Sequence, residues 1–254
     1  MPIQLLTKNV WNIVMHVLLI QNCSTEGFGL YETFLKQRDF NVEILHPYRG
    51  DPFHNAKDID AVIIGGTPVS ASRLANHPYL LNELVFLKVV IAKNIPCLGI
   101  CFGAQLLSLA LGGEVTQNPQ KEIGIYEVEL TQTGKIDPVL KGFPARFPVF
   151  QWHSDTFSVP LHGELLAKGQ ACRNQMFRLG KSVGIQFHLE IDSPEADRWC
   201  SEYAEELKSF GKSREDISAE FKPVEKQMTE LAEKLISNFM SQIMEDTYDT
   251  RNRS

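Results

Sequence analysis

The chain has 254 residues, of which 43% are hydrophobic and 22% charged, with a formal net charge of -6. These values fit a globular chain long enough for one sizeable domain and an appendage, and they exclude a disordered one. The negative balance, with no basic stripe interleaved with aromatics, argues against a general nucleic-acid grip.

Residues 1–13 read as an N-terminal extension. Met1–Asn12 carries one lysine, no arginine and no long apolar core before a small-residue cleavage site, so it makes a poor signal or transit peptide. Met15 is an alternative start to Met1. No run of 18 or more apolar residues occurs, so no membrane span is expected and the reading is of a cytoplasmic protein.

Val14–Ile20 is an apolar first strand, followed by a helix near Gly27–Arg38 and a second strand at Asn41–Leu45. Asp60–Ile64 is a third strand that runs into Gly65-Gly66. A helix near Pro78–Lys93 places Leu80, Leu84, Leu87 and Ile91 at helical spacing. Pro96–Ile100 is a fourth strand. The apolar helix after it, Phe102–Leu111, stops at Gly112-Gly113, a pair suited to a C-terminal cap. Such alternation predicts an α/β fold with a doubly wound, mostly parallel sheet.

The pattern then changes to consecutive strands at Tyr126–Leu130, Arg146–Gln151, Glu164–Ala167, Gln175–Leu179 and Ser182–Phe187, which predicts a small antiparallel patch at one edge. Asp192-Ser193-Pro194 starts a helix running to about Phe210. A second helix spans roughly Val224–Met244, with Val224, Met228, Leu231, Leu235, Phe239 and Ile243 on one stripe. That stripe either packs on the domain's own surface or docks a partner. The expected division is a domain at 14–200, C-terminal helices at 201–245 and a flexible polar tail at 246–254.

The chemistry centres on Gly99-Ile100-Cys101-Phe102-Gly103. This G-x-C-x-G spacing between a strand and a helix is the cysteine form of the nucleophile elbow, in which small neighbours tolerate a strained turn. A cysteine there sits at a helix N-terminus, which favours the thiolate, and the Phe102 N–H stands ready for an oxyanion. The plain alternative is a buried core cysteine. Downstream, Gly184-Ile185-Gln186-Phe187-His188-Leu189-Glu190 ends in His-x-Glu. Residues two apart on an extended chain share a face, so Glu190 could orient the imidazole of His188, the base for Cys101. Gly66, at the carboxyl end of a strand, offers a second oxyanion donor. The five cysteines (23, 97, 101, 172, 200) include no C-x-x-C pair, so neither zinc nor a disulfide framework is indicated. Cys97 lies inside a strand, which disfavours a redox pair with Cys101.

With these elements in order, the chain resembles the class I (triad) glutamine amidotransferases, and among them the stand-alone GMP synthase-like domains. Phe150-Gln151-Trp152-His153-Ser154-Asp155 adds a match to the segment that lines the family's glutamine pocket. The resemblance covers about Met15 to Trp199 and implies a flavodoxin-like fold. It implies a catalytic triad of Cys101, His188 and Glu190, an oxyanion hole at Gly66 and Phe102, and substrate contacts at Gln105, His153 and Ser154. Ala104 and Ser154 depart from the residues common in relatives and could reshape the pocket. The implied reaction hydrolyses the side-chain amide of L-glutamine through a Cys101 thioester, releasing glutamate and ammonia. No cofactor or metal is expected. No G-x-x-x-x-G-K-[ST] loop or second large domain occurs, so ammonia would serve a separate ATP-dependent synthetase or acceptor-binding subunit. Two alternatives stay open: a hydrolase of γ-glutamyl peptides or amides with the same triad, and a non-catalytic binding module.

Overall fold

The computed structural model describes residues 15–53 and 55–252. The expected extension at 1–13, Val14 and the last two tail residues lie outside the described residues.

Strands β1 (His16–Ile20), β2 (Asn41–Leu45), β3 (Ala61–Ile64) and β4 (Cys97–Ile100) alternate with helices α1 (Gly29–Gln37), α2 (Pro78–Ala92) and α3 (Phe102–Ala110). Then come β5 (Val115–Leu130), the short helix α4 (Gln132–Ile136), β6 (Arg146–Phe157), β7 (Glu164–Lys168), β8 (Met176–Leu179) and β9 (Ser182–Ile185). All nine strands form one sheet in the order β2-β1-β3-β4-β9-β8-β7-β5-β6. The first five in that order are parallel neighbours, and their 2-1-3-4-5 pattern is that of flavodoxin-like folds.

Alternation along the central strands explains the layers. Val17, Leu19, Ala61, Ile63, Leu98 and Ile100 face one apolar cluster together with Tyr31 and Leu35 of α1. Leu18, Ile20, Val62, Ile64 and Cys97 face the other, with Leu80 and Leu87 of α2 and Leu106 and Leu107 of α3. A parallel strand buried on both faces must be apolar at every position, as these are.

The antiparallel part is larger than expected. Four strands belong to it, and β5 and β6 are far longer than the sequence segments assigned to them. Their polar residues (Thr116, Gln117, Glu122, Gln151, Asp155) hide strand character from a reading based on apolar runs. A bridge in which the backbones of Phe150 and His188 exchange hydrogen bonds at 2.8 and 3.2 Å ties β6 back to the segment after β9. The antiparallel part therefore curls back onto the parallel part, at the rim where the site lies.

The C-terminal region differs in detail from expectation. The helix expected from Ser193 to Phe210 is two, α5 (Ser193–Glu202) and α6 (Ala204–Ser209), separated at Tyr203. An additional helix, α7 (Arg214–Phe221), begins at a capping box in which the Ser213 side chain accepts from the Asp216 N–H and the Asp216 carboxylate from the Ser213 N–H. That Ser-x-x-Asp signal is legible in the sequence. Helix α8 (Glu225–Asn252) extends through most of the segment expected to be a tail. Its stripe residues Met228, Leu231, Leu235 and Phe239 join the same apolar cluster as Leu19 and Tyr31, so the stripe is covered by the chain's own core. Among the described residues no helix is long and apolar enough to cross a membrane.

Candidate active site

Three strand ends converge to build the site. Cys101 follows β4 directly and is the N-cap of α3, with φ 51° and ψ -108°. A non-glycine residue in that region is strained, at a cost of about 1–3 kcal/mol, and persists only where its surroundings hold it. Here the Cys101 N–H donates to the Ile185 carbonyl of β9 at 2.8 Å. The flanking glycines are required by close approach. A Cβ on Gly99 would stand 2.5 Å from the Gly103 carbonyl oxygen, and one on Gly103 would stand 2.2 Å from the Ile64 carbonyl oxygen. Only glycines let β4 turn this tightly into α3 while α3 packs on the end of β3.

His188 and Glu190 lie just beyond β9, both buried. The His188 Nδ1–H donates to Glu190 Oε1 at 2.5 Å, and the Leu189 N–H donates to Glu190 Oε2 at 3.0 Å. Burial alone would lower the proton affinity of His188; the Glu190 carboxylate beside it and the Cys101 sulfur outweigh that and raise its pKa well above the usual histidine value. Trp199 of α5 packs edge-on against the imidazole, with ring centroids 4.8 Å apart. The fold thus brings together the three residues that the sequence places 87 and 2 positions apart (101 to 188, 188 to 190).

A cavity of about 90 Å³ opens beside Cys101. Phe102, Gln105, His153 and Ser154 all line it, as do Thr67 and Ser70 from the loop after Gly66. Two of the expected contacts are already engaged. Gln105 donates from Nε2 to the Asp155 carbonyl at 3.1 Å and to Gln186 Oε1 at 3.3 Å. His153 holds the Asp155 carbonyl with Nδ1 and Glu122 Oε2 with Nε2, both at 2.9 Å. Both side chains therefore fasten β6 to the site, and their ring or amide groups are not idle in the cavity.

Sequence reasoning missed four participants. Gln186 Nε2 donates to Cys101 Sγ at 3.6 Å; it stands within the strand motif but carried no separate signal. Tyr203 and Glu206, from the helices beyond Trp199, also wall the cavity. Glu26, in the loop after β1, is 7% exposed and lines it too. Burial raises the Glu26 carboxyl to about 7, against the opposing pull of His188 and a hydrogen bond from Tyr203.

A different set, Glu122, His153 and Cys172, could offer ligand atoms to a metal ion, all within 4.8 Å of one another. Hydrogen bonds already serve these groups: Gln175 Nε2 donates to Glu122 Oε2 at 3.0 Å, and the Thr156 hydroxyl lies 3.2 Å from Cys172 Sγ. Burial also pushes the Cys172 thiol up to about 11, so a metal would have to displace a firmly held proton. All five cysteines are free, and Cys97 faces the cluster opposite to that of Cys101.

Comparison with known proteins agrees with this geometry. The family model for glutamine amidotransferase class-I matches residues 30–201. The glutamine amidotransferase-like protein YfeJ of Salmonella typhimurium is 30% identical over 190 residues, covering 70% of this chain and 76% of its own. The glutamine-hydrolyzing subunit of the GMP synthase of Saccharolobus solfataricus is 32% identical over 162 residues, covering 61% of this chain and 79% of its own. Among solved structures, a glutamine amidotransferase from Thermotoga maritima superimposes with a TM-score of 0.83 at 29% identity, over 90% of this chain and 99% of that one. The chain belongs to the class I glutamine amidotransferase family.

Proposed function

We propose that this protein hydrolyses the side-chain amide of L-glutamine, with Cys101 as nucleophile, His188 as general base and acid, and Glu190 as the group that orients and charges the imidazole. The observation that carries this reading is the buried His188–Glu190 hydrogen bond at 2.5 Å, with Cys101 among the groups that raise the imidazole's proton affinity.

In the proposed reaction His188 takes the Cys101 proton, and the sulfur attacks the amide carbon to form a C–S bond. The carbonyl π electrons move onto oxygen, and the N–H groups of Gly66 and Phe102 receive that oxyanion. First-turn N–H groups of a helix have no intrahelical partner, which leaves Phe102 available for this role. As the oxyanion collapses, the C–N bond breaks, and His188 returns the proton to the departing nitrogen, giving ammonia and a thioester. Water, deprotonated by His188, then adds to the thioester, and glutamate leaves with the sulfur reprotonated.

The ammonia serves an acceptor bound by a separate ATP-dependent synthetase or acceptor-binding subunit. The GMP synthase subunits among the relatives support this, since their names describe one part of a glutamine-hydrolysing synthase. An electrophilic glutamine analogue, 6-diazo-5-oxo-L-norleucine, tests the chemistry. Mass spectrometry should find one adduct on Cys101 and none in Cys101→Ala. A folded wild-type protein that stays unlabelled, and releases no ammonia from glutamine, would overturn the reading.

A further inference from the structure

The cavity beside Cys101 is lined by three carboxylates, Glu26, Asp155 and Glu206, and by no lysine or arginine. Two of them are matched. Glu206 pairs with Lys121 at 2.5 Å and accepts the Trp152 indole N–H at 2.8 Å. Asp155 accepts the Ser70 hydroxyl. Glu26 is different. Its Oε1 accepts the Tyr203 hydroxyl at 3.0 Å, and among the described residues no lysine or arginine pairs with it. A buried carboxylate facing only a neutral donor is costly, and a cationic partner would offset that cost.

The second oxygen of Glu26 is placed where a substrate would meet it. A Cβ built on Gly66 would lie 2.2 Å from Glu26 Oε2 and 3.8 Å from His188 Cε1. The oxygen therefore rests against Gly66, on the side of that residue that faces the imidazole. In a γ-glutamyl amide the α-nitrogen and the reacting carbonyl carbon are separated by about 5 Å of covalent chain. A ligand whose carbonyl is at Cys101 can thus bring its ammonium to the cavity wall without leaving the pocket.

We infer that Glu26 is the ammonium-recognising residue of this cavity, and that it selects substrates bearing a free α-amino group beside the amide to be cut. The identity of the ligand rests on the glutaminase reading above; the charge match does not. Tyr203 is a positioning residue in this arrangement, holding the carboxylate by Oε1 and leaving Oε2 toward the cavity. The nearest other charged groups are His188, Glu190 and Glu206, of which the last is already matched by Lys121.

The test compares L-glutamine with 4-carbamoylbutanoate, the same molecule without its α-amino group. Calorimetry on full-length Cys101→Ala protein measures binding with no turnover. Glutamine should bind about tenfold or more tightly, the range expected for a hydrogen bond to a charged group. Adding Glu26→Gln, which keeps the shape and removes the charge, should bring the two affinities together. Equal affinities in the parent, absence of glutamine binding included, would overturn the inference, as would a difference that survives Glu26→Gln. Labelling of wild-type Cys101 separates the two levels. Labelling without discrimination sinks the ammonium site alone; discrimination without labelling sinks the glutaminase reading and leaves the site standing.

Discussion

Glu190 Oε1 lies 2.5 Å from His188 Nδ1, and the carboxylate's other oxygen is held at 3.0 Å by the N–H of Leu189. Each group is buried and each restricts the other: the carboxylate cannot turn away, and the imidazole can present only Nε2 to the cavity side. Glu190→Gln would keep the shape and remove the charge that offsets the desolvation of an imidazolium. Turnover of glutamine should fall by about a hundredfold or more. Alkylation of Cys101 at pH 6–7 should slow as well, because burial then lowers the proton affinity of His188 unopposed. Rates equal to wild type in both assays would remove Glu190 from the proposed triad.

The contact between Gly103 and Ile64 predicts a different defect. Gly103→Ala would place a Cβ 2.2 Å from a backbone oxygen of β3, which no side-chain rotation relieves. The substitution should cost about 1–3 kcal/mol of stability, as overpacked core sites do. It should also displace the start of α3, so glutaminase activity should fall in protein that remains folded at 25 °C. Urea unfolding and initial rates on the same preparation measure both. An unchanged midpoint would show that the elbow is looser than this geometry states.

Glu83 of α2 ties stability to pH. It is fully buried, Asn22 Nδ2 donates to its Oε1 at 3.2 Å, and burial pushes its carboxyl up to about 8 from an ordinary 4.5. Between those two values the native state holds a proton that the unfolded chain has released. Its contribution is therefore complete below about pH 4.5 and declines as pH rises to about 8, by at most about 1.4 kcal/mol per pH unit. Glu83→Gln should flatten the fall in Tm between pH 5 and 8. A wild-type Tm that does not decrease over that range would contradict the assignment.

Phe239 on α8 is 3% exposed and packs in the same cluster as the first strand. Phe239→Ala should cost about 3–5 kcal/mol, the usual range for emptying a buried phenylalanine site. Because the cluster is continuous from α8 to β1, unfolding should remain a single transition, shifted as a whole. Separate melting of the C-terminal helices, seen by circular dichroism before loss of the tertiary signal, would show that they are an independent unit.

What the sequence determined by itself was local. The apolar strands buried on both faces, the G-x-C-x-G turn and the His-x-Glu pair each follow from neighbours a few residues away, where periodicity and steric limits operate. They were enough to identify the parallel sheet, the nucleophile and its proposed base. The extent of β5 and β6 was not legible, because Glu122, Gln151 and His153 are polar and become interior only by bonding one another across strands. The wall of the cavity was not legible either. Glu26, Gln186, Tyr203 and Glu206 come from four separate segments, and nothing in their own neighbourhoods marks them. A nucleophile elbow is built by the strain of one turn, whereas a pocket is built by distant segments meeting; only the tertiary structure decides which carboxylate faces the substrate.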